Sequence, residues 1–195
     1  MAVGPSRRHH LLARQCGSDQ PVSSRQGFAG GYRAIWVGLD AAVGGCGIWA
    51  THFVAMLAYD PGSGAGYNIP VTLMSLVFAV SITAVGLSIA LLNDRRSTIA
   101  LGGAVVGIGV AAMHYTGMMA LELPARIVWS PGIVLASIVF GGVFAGLSLV
   151  VATRMDDRNH TLVATGLLTI AIVSHHFTAM GAVTLVADPT RSPTS

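Results

Sequence analysis

Five long apolar stretches, joined by connections too short to fold on their own, run through this chain of 195 residues and leave it few architectures. They cover about 33–58, 69–92, 99–121, 132–153 and 161–186. Each is long enough to cross roughly 30 Å of hydrocarbon at about 1.5 Å of rise per helical residue. The connections carry chain breakers: Asp60-Pro61-Gly62 with Pro70, Asn93-Asp94-Arg95-Arg96, Pro124 with Pro131, and Asp156-Asp157-Arg158-Asn159. A mean hydropathy of +0.68 with 10% charged residues excludes an ordinary soluble domain. The expected fold class is all-α, a polytopic transmembrane helix bundle of five spans embedded in the lipid bilayer. Gly103 and Gly107 in the third span, and Gly142 and Gly146 in the fourth, have the four-residue spacing that lets helix backbones approach closely in lipid.

Charge sets the orientation. Every basic residue is arginine, and the net charge of +3 comes from scattered loop residues rather than a basic face, so no nucleic-acid partner is expected. If the spans alternate, Arg7, Arg8, Arg14, Arg25, Arg33, Arg95, Arg96, Arg154 and Arg158 share one side and only Arg126 and Arg191 the other. Basic residues near helix ends stay cytoplasmic, which predicts a cytoplasmic N-terminus in an inner (cytoplasmic) membrane and a C-terminus outside. Residues 1–31 read as a polar, disordered cytoplasmic lead-in, 32–187 as the transmembrane domain and 188–195 as a short tail. Ser6-Arg7-Arg8 resembles a twin-arginine export signal, but no apolar run follows it before about Tyr32, so a cleaved leader is not expected. Cys16 and Cys46 have neither the number nor the spacing of a disulfide framework or a zinc site.

The chemistry lies in a motif that occurs three times: His52-Phe53-Val54-Ala55-Met56, His114-Tyr115-Thr116-Gly117-Met118 and His176-Phe177-Thr178-Ala179-Met180. The histidines are spaced 114 − 52 = 62 and 176 − 114 = 62 residues apart, so a two-helix unit repeats with its length preserved. Residues four apart share a helix face, which pairs each imidazole with a thioether one turn away. The first, third and fifth spans run in the same direction, so all three pairs fall at one level, near the outer surface. An ionisable side chain at that depth is costly unless it faces the bundle interior and finds a partner. One such histidine is as readily a hydrogen-bonded core residue; three in register favour a site. Imidazole with thioether suits copper, Cu(I) above all. Met74, Met119 and Met155 need no role beyond filling space.

Other polar residues carry less weight. Asp40, about two turns beyond Arg33, could be protonated or line a polar path, and reads more readily as a local feature than as a proton relay. Glu122 reads as a solvated helix-end carboxylate, and Trp49 and Trp129 as interfacial aromatics.

Met113-His114-Tyr115-Thr116 resembles, letter for letter, the motif that names the MHYT family of bacterial integral membrane sensors, and Thr51-His52-Phe53-Val54 and His175-His176-Phe177-Thr178 resemble its looser forms. The resemblance covers about residues 33–186. It implies a seven-span pattern, of which two spans are missing here, with motifs near the outer face of the cytoplasmic membrane and a proposed copper site that senses oxygen, carbon monoxide or nitric oxide. Carried over by position, the metal ligands would be His52, Met56, His114, Met118, His176 and Met180, joined by Met113 and His175 at the position before the motif histidine. Members occur alone or fused to cytoplasmic output modules, so a diatomic gas ligand and a cytoplasmic signalling partner are implied.

The expected function is a sensor or metal-binding membrane module. Two alternatives stand beside it. A copper transporter would need a second polar layer, for which Asp40 alone is thin; a haem-binding electron carrier would engage two histidines and leave the third unexplained. Catalysis is not expected, because the sequence shows no nucleophile with a base, no carboxylate pair and no phosphate-binding loop.

Overall fold

The computed structural model describes residues 22–59, 66–153 and 158–188. The lead-in through residue 21, the segments 60–65 and 154–157 and the tail from 189 lie outside the described residues. The chain divides into Met1–Val37 and Gly38–Ser195, and the bundle below belongs to the second.

The helices are α1 (Val22–Leu57), α2 (Ile69–Ala90), α3 (Arg96–Met119), α4 (Pro131–Ala152) and α5 (Arg158–Gly181). Among the described residues, all five are long and apolar enough to cross a membrane, and the protein is a multi-pass membrane protein. Their ends follow local chemistry. Asn68 caps α2 by accepting the Val71 N–H at 3.2 Å, and a proline sits in the first turn of both α2 and α4, where its missing N–H costs nothing. The 62-residue period holds to the residue: α2 shifted by 62 gives the bounds of α4, and α3 shifted by 62 gives those of α5.

Two short ribbons lie at the same end of the bundle as the motifs. Strand β1 (Gly66–Tyr67) pairs antiparallel with β2 (Leu121–Glu122), and β3 (Ala125–Trp129) with β4 (Val183–Ala187). Their registers repeat as well: Gly66 faces Glu122, and 62 residues on Val128 faces Thr184. This corrects the fifth apolar segment, expected to run to 186 as helix. The helix ends at Gly181, and Val183–Ala187 leaves as a strand because Ala125–Trp129 offers it a ladder. Hydropathy registers such a run as apolar and cannot tell its period over five residues.

The bundle is apolar outside and small or polar inside. Leu57, Leu92, Val43 and Met119 are each more than 70% exposed, while Ser75, Thr83, Ser137 and Ser148 are buried. Water would reject that distribution and lipid accepts it, because hydrocarbon solvates leucine as well as a protein core does. α3 packs against α2, α4 and α5 and is the most buried of the five. Glycine permits that. A Cβ on Gly103 would lie 2.5 Å from the Ala145 carbonyl oxygen, and one on Gly107 2.7 Å from the backbone of Gly141 and Gly142, so the spacing read from sequence is the α3–α4 contact.

Candidate functional site

α1, α3 and α5 bring His52, His114 and His176 together in the bundle interior, at most 8% exposed. The Nδ1 atoms of His114 and His52 are 3.2 Å apart and those of His52 and His176 3.4 Å apart. One nitrogen from each ring falls within 4.8 Å of the others. Two lone pairs cannot face each other at that range without a proton or an ion between them. An ion held about 2.0–2.1 Å from imidazole nitrogens in a tetrahedral or trigonal shell would set them about 3.3–3.6 Å apart. The separations of 3.2 and 3.4 Å lie at or close to that edge length, so the residues present fit a bound ion.

The far side of the rings is unpaired. The Nε2 atoms of His52 and His114 are buried with no hydrogen-bond partner. A neutral ring that turns its Nδ1 lone pair inward carries its proton on Nε2, and a buried donor left unpaired costs about 1–3 kcal/mol.

His175, fully buried, has a different task. Its Nδ1–H donates to the Ser137 carbonyl at 3.0 Å, which assigns the proton to Nδ1 and the lone pair to Nε2. Its ring lies 5.3 Å from that of His114. Ser137 also holds Tyr115: the serine hydroxyl donates to the Val134 carbonyl at 2.7 Å, leaving its oxygen to accept the tyrosine hydroxyl at 2.7 Å. Tyr115 in turn packs edge-on against His114 and Trp129, both at 5.1 Å between centroids.

The methionines fall into two layers. Met56 and Met118, with Met180 against them, pack with Leu121 and Leu123 one turn beyond the histidines, under the ribbons. Met113 lies on the opposite side, with Ile48, Ala79 and Val110. Between the layers a cavity of about 50 Å³ is lined by all four histidines, Met113 and Phe177 among others. Liquid water occupies about 30 Å³ per molecule, so this space takes one or two small molecules.

Sequence reasoning missed two residues of the site. Gly117 lets His52 in, since a Cβ there would lie 2.7 Å from His52 Nε2. Ser137 orients His175 and Tyr115, and its place 62 residues after the equally buried Ser75 was a signal available in the repeat. Trp49, read as an interfacial anchor, is instead an interhelical strut: its Nε1–H donates to Ser75 Oγ at 3.1 Å. Glu122 belongs to β2 and accepts from Asn68 Nδ2 at 3.3 Å.

The period, the motifs and the fold can be compared with known proteins. Residues 45–103 and 107–165 match the MHYT family, described as a bacterial signalling protein N-terminal repeat, and the two blocks are offset by the same 62 residues. The chain belongs to the MHYT family. Its relatives include an "uncharacterized signaling protein" of Caulobacter vibrioides, 39% identical over 85% of this chain and 20% of that protein. Two from Pseudomonas aeruginosa are the bifunctional diguanylate cyclase/cyclic di-GMP phosphodiesterase MucR, 36% identical over 83% of this chain and 24% of that protein, and the cyclic di-GMP phosphodiesterase NbdA, 35% identical over 77% and 20%. The chain thus spans a fifth to a quarter of the length of these curated relatives. No solved structure matches it. His52 and His114 lie inside the matched blocks and His176 beyond them, so the third member of the triad rests on the 62-residue spacing and on the structure.

Proposed function

We propose that this MHYT domain is the input module of a membrane signalling protein, that His52, His114 and His176 bind copper through Nδ1, and that the adjoining cavity admits a diatomic gas or reports redox state. The observation that carries the reading is the convergence of three buried imidazole nitrogens within 4.8 Å. Bound copper would supply the redox and gas-binding chemistry. The chain's own residues hold the rings in register, exclude water through the methionine layer, and fix the fourth histidine on Ser137. The cavity of about 50 Å³ beside the rings matches a diatomic molecule and is far too small for a haem macrocycle, which disfavours the electron-carrier alternative. A transporter would need a polar path onward from the triad, and the layer of Ile48, Ala79, Val110 and Met113 interrupts it. The relatives named for cyclic di-GMP turnover support an output through a cytoplasmic signalling partner. With Arg95, Arg96 and Arg158 at the opposite ends of α3 and α5 from the histidines, the site would face the outside of the cytoplasmic membrane.

The test is metal content. The full chain purified in detergent from copper-replete cells is expected to carry copper in excess of iron and zinc and to lose it in His114→Ala; reduced protein is expected to bind carbon monoxide with an infrared band that the variant lacks. A metal-free wild type overturns the copper assignment.

A further inference from the structure

The half of the bundle away from the histidines contains a second, larger cavity, of about 270 Å³, lined by side chains of all five helices. Asp40 of α1 is exposed at its rim. It lies 52 − 40 = 12 residues from His52, about 18 Å along the helix, at a depth where a carboxylate is expensive. Thr83 of α2 faces the same space, is 5% exposed, and its hydroxyl finds no hydrogen-bond partner. Ser148 of α4 donates to the Ala164 carbonyl at 2.8 Å, which leaves the lone pairs of its oxygen for the cavity. At about 30 Å³ per water, this volume holds roughly nine. The lining residues contributed by α2, α3, α4 and α5 carry no titratable group, so Asp40 has no countercharge within the cavity.

We propose that this cavity is hydrated and binds a small monovalent cation, a hard alkali ion or hydronium, with the Asp40 carboxylate as its ionic ligand and the Thr83 and Ser148 hydroxyls as neutral ones. Three observations converge on it. A carboxyl group in a membrane span with no basic residue in its cavity calls for a cation, a buried unpaired hydroxyl calls for a partner, and oxygen donors favour hard ions as imidazole and thioether do not. The site is distinct from the histidine triad. Ile48, Ala79, Val110 and Met113 form the apolar layer between them, and only Ile48 of these also touches the second cavity. The bundle thus holds a soft-ligand site in one half and a hard-ligand site in the other. This inference is independent of whether copper binds above.

Thiol chemistry on the full chain in detergent tests it, in a background carrying Cys16→Ser and Cys46→Ser. Thr83→Cys is expected to react with cationic aminoethyl methanethiosulfonate about tenfold or more faster than with the anionic sulfonatoethyl reagent, as a negatively charged cleft concentrates cations. Adding Asp40→Asn is expected to abolish that preference, and Ala79→Cys, in the apolar layer, is expected to stay unreactive. Replacing choline by sodium at constant ionic strength slows the cationic reaction if an alkali ion is the occupant; because acid lowers the thiolate fraction for both reagents alike, a fall in the ratio of cationic to anionic rates on acidification, without a sodium effect, identifies hydronium. Ser148→Cys serves as a second probe if the Thr83 variant does not fold. Unreactive thiols at both positions, equal rates with the two reagents, or a cationic preference indifferent to Asp40→Asn, sodium and acid would each overturn the proposal.

Discussion

The first two-helix repeat, α2 with α3, and the second, α4 with α5, share their boundaries residue for residue and differ in what they put at the same contact. In the first, Gly86 meets Gly102 so closely that a Cβ on Gly102 would lie 2.5 Å from the Gly86 carbonyl oxygen. In the second, the residues 62 further on are Ser148 and Ala164, and the serine hydroxyl donates to the alanine carbonyl at 2.8 Å. The same substitution of chemistry on a fixed frame recurs beside the motif. Met113 packs into the apolar layer, while its counterpart His175 hydrogen-bonds the Ser137 carbonyl. The motif histidine stays identical between the repeats, as do the buried serine (Ser75 and Ser137) and the motif methionine (Met118 and Met180). Duplication therefore fixed where the triad atoms must be, and the positions around them were free to differentiate, one half toward apolar packing and the other toward a hydrogen-bonded support.

Five substitutions probe that comparison. His114→Ala removes a ring that lies 4.9 and 5.2 Å between centroids from those of His52 and His176, and is expected to lower copper retention by far more than tenfold; His175→Ala, removing a ring held on a backbone carbonyl, is expected to leave most of the copper bound. Equal losses by metal analysis would break the distinction between triad and support. Gly107→Val drives a side chain into the α4 backbone, which lies 2.7 Å from a mere Cβ there, and is expected to cost about 1–3 kcal/mol or prevent folding, read from thermal unfolding in detergent.

Gly117→Ala places a methyl 2.7 Å from His52 Nε2 and must displace that ring. Copper affinity is expected to fall about 10–100-fold, as for other changes that disturb ligand orientation, with little change in melting temperature. Unchanged affinity would mean that His52 is not held where the triad requires it. The smallest effect is expected from Ser148→Gly, which copies the first repeat's solution into the second. It removes one interhelical hydrogen bond, about 0.6 kcal/mol on average in a membrane protein, and leaves copper untouched. A loss of several kcal/mol would show that the two repeats are not interchangeable at that contact.

Much of this was legible in the sequence because each signal was either long or repeated. Five apolar runs exceed anything a soluble core needs, and three histidines at one interval define a level in the bundle before any coordinate is known. Glycines spaced by four announced the α3–α4 contact, since in lipid small residues are the means by which helices touch. The short elements were hidden. Val183–Ala187 is apolar in sequence whether it continues a helix or turns back as a strand, and only the partner Ala125–Trp129 decides. Trp49 carries no mark that distinguishes a membrane anchor from a strut to Ser75.

By itself, then, the sequence determined the solvent, the number of spans and the period, because hydrophobic length and residue spacing are properties of the chain and need no partner. Tertiary structure alone decided which nitrogens meet, that His175 bonds a carbonyl through Nδ1, that the methionines form layers above and below the triad, and that Asp40 borders a cavity shared by five helices. Each of these depends on the rotation of one helix about its axis against another, an angle constrained by close approaches between elements such as Gly86–Gly102, Gly107–Gly141 and Gly117–His52.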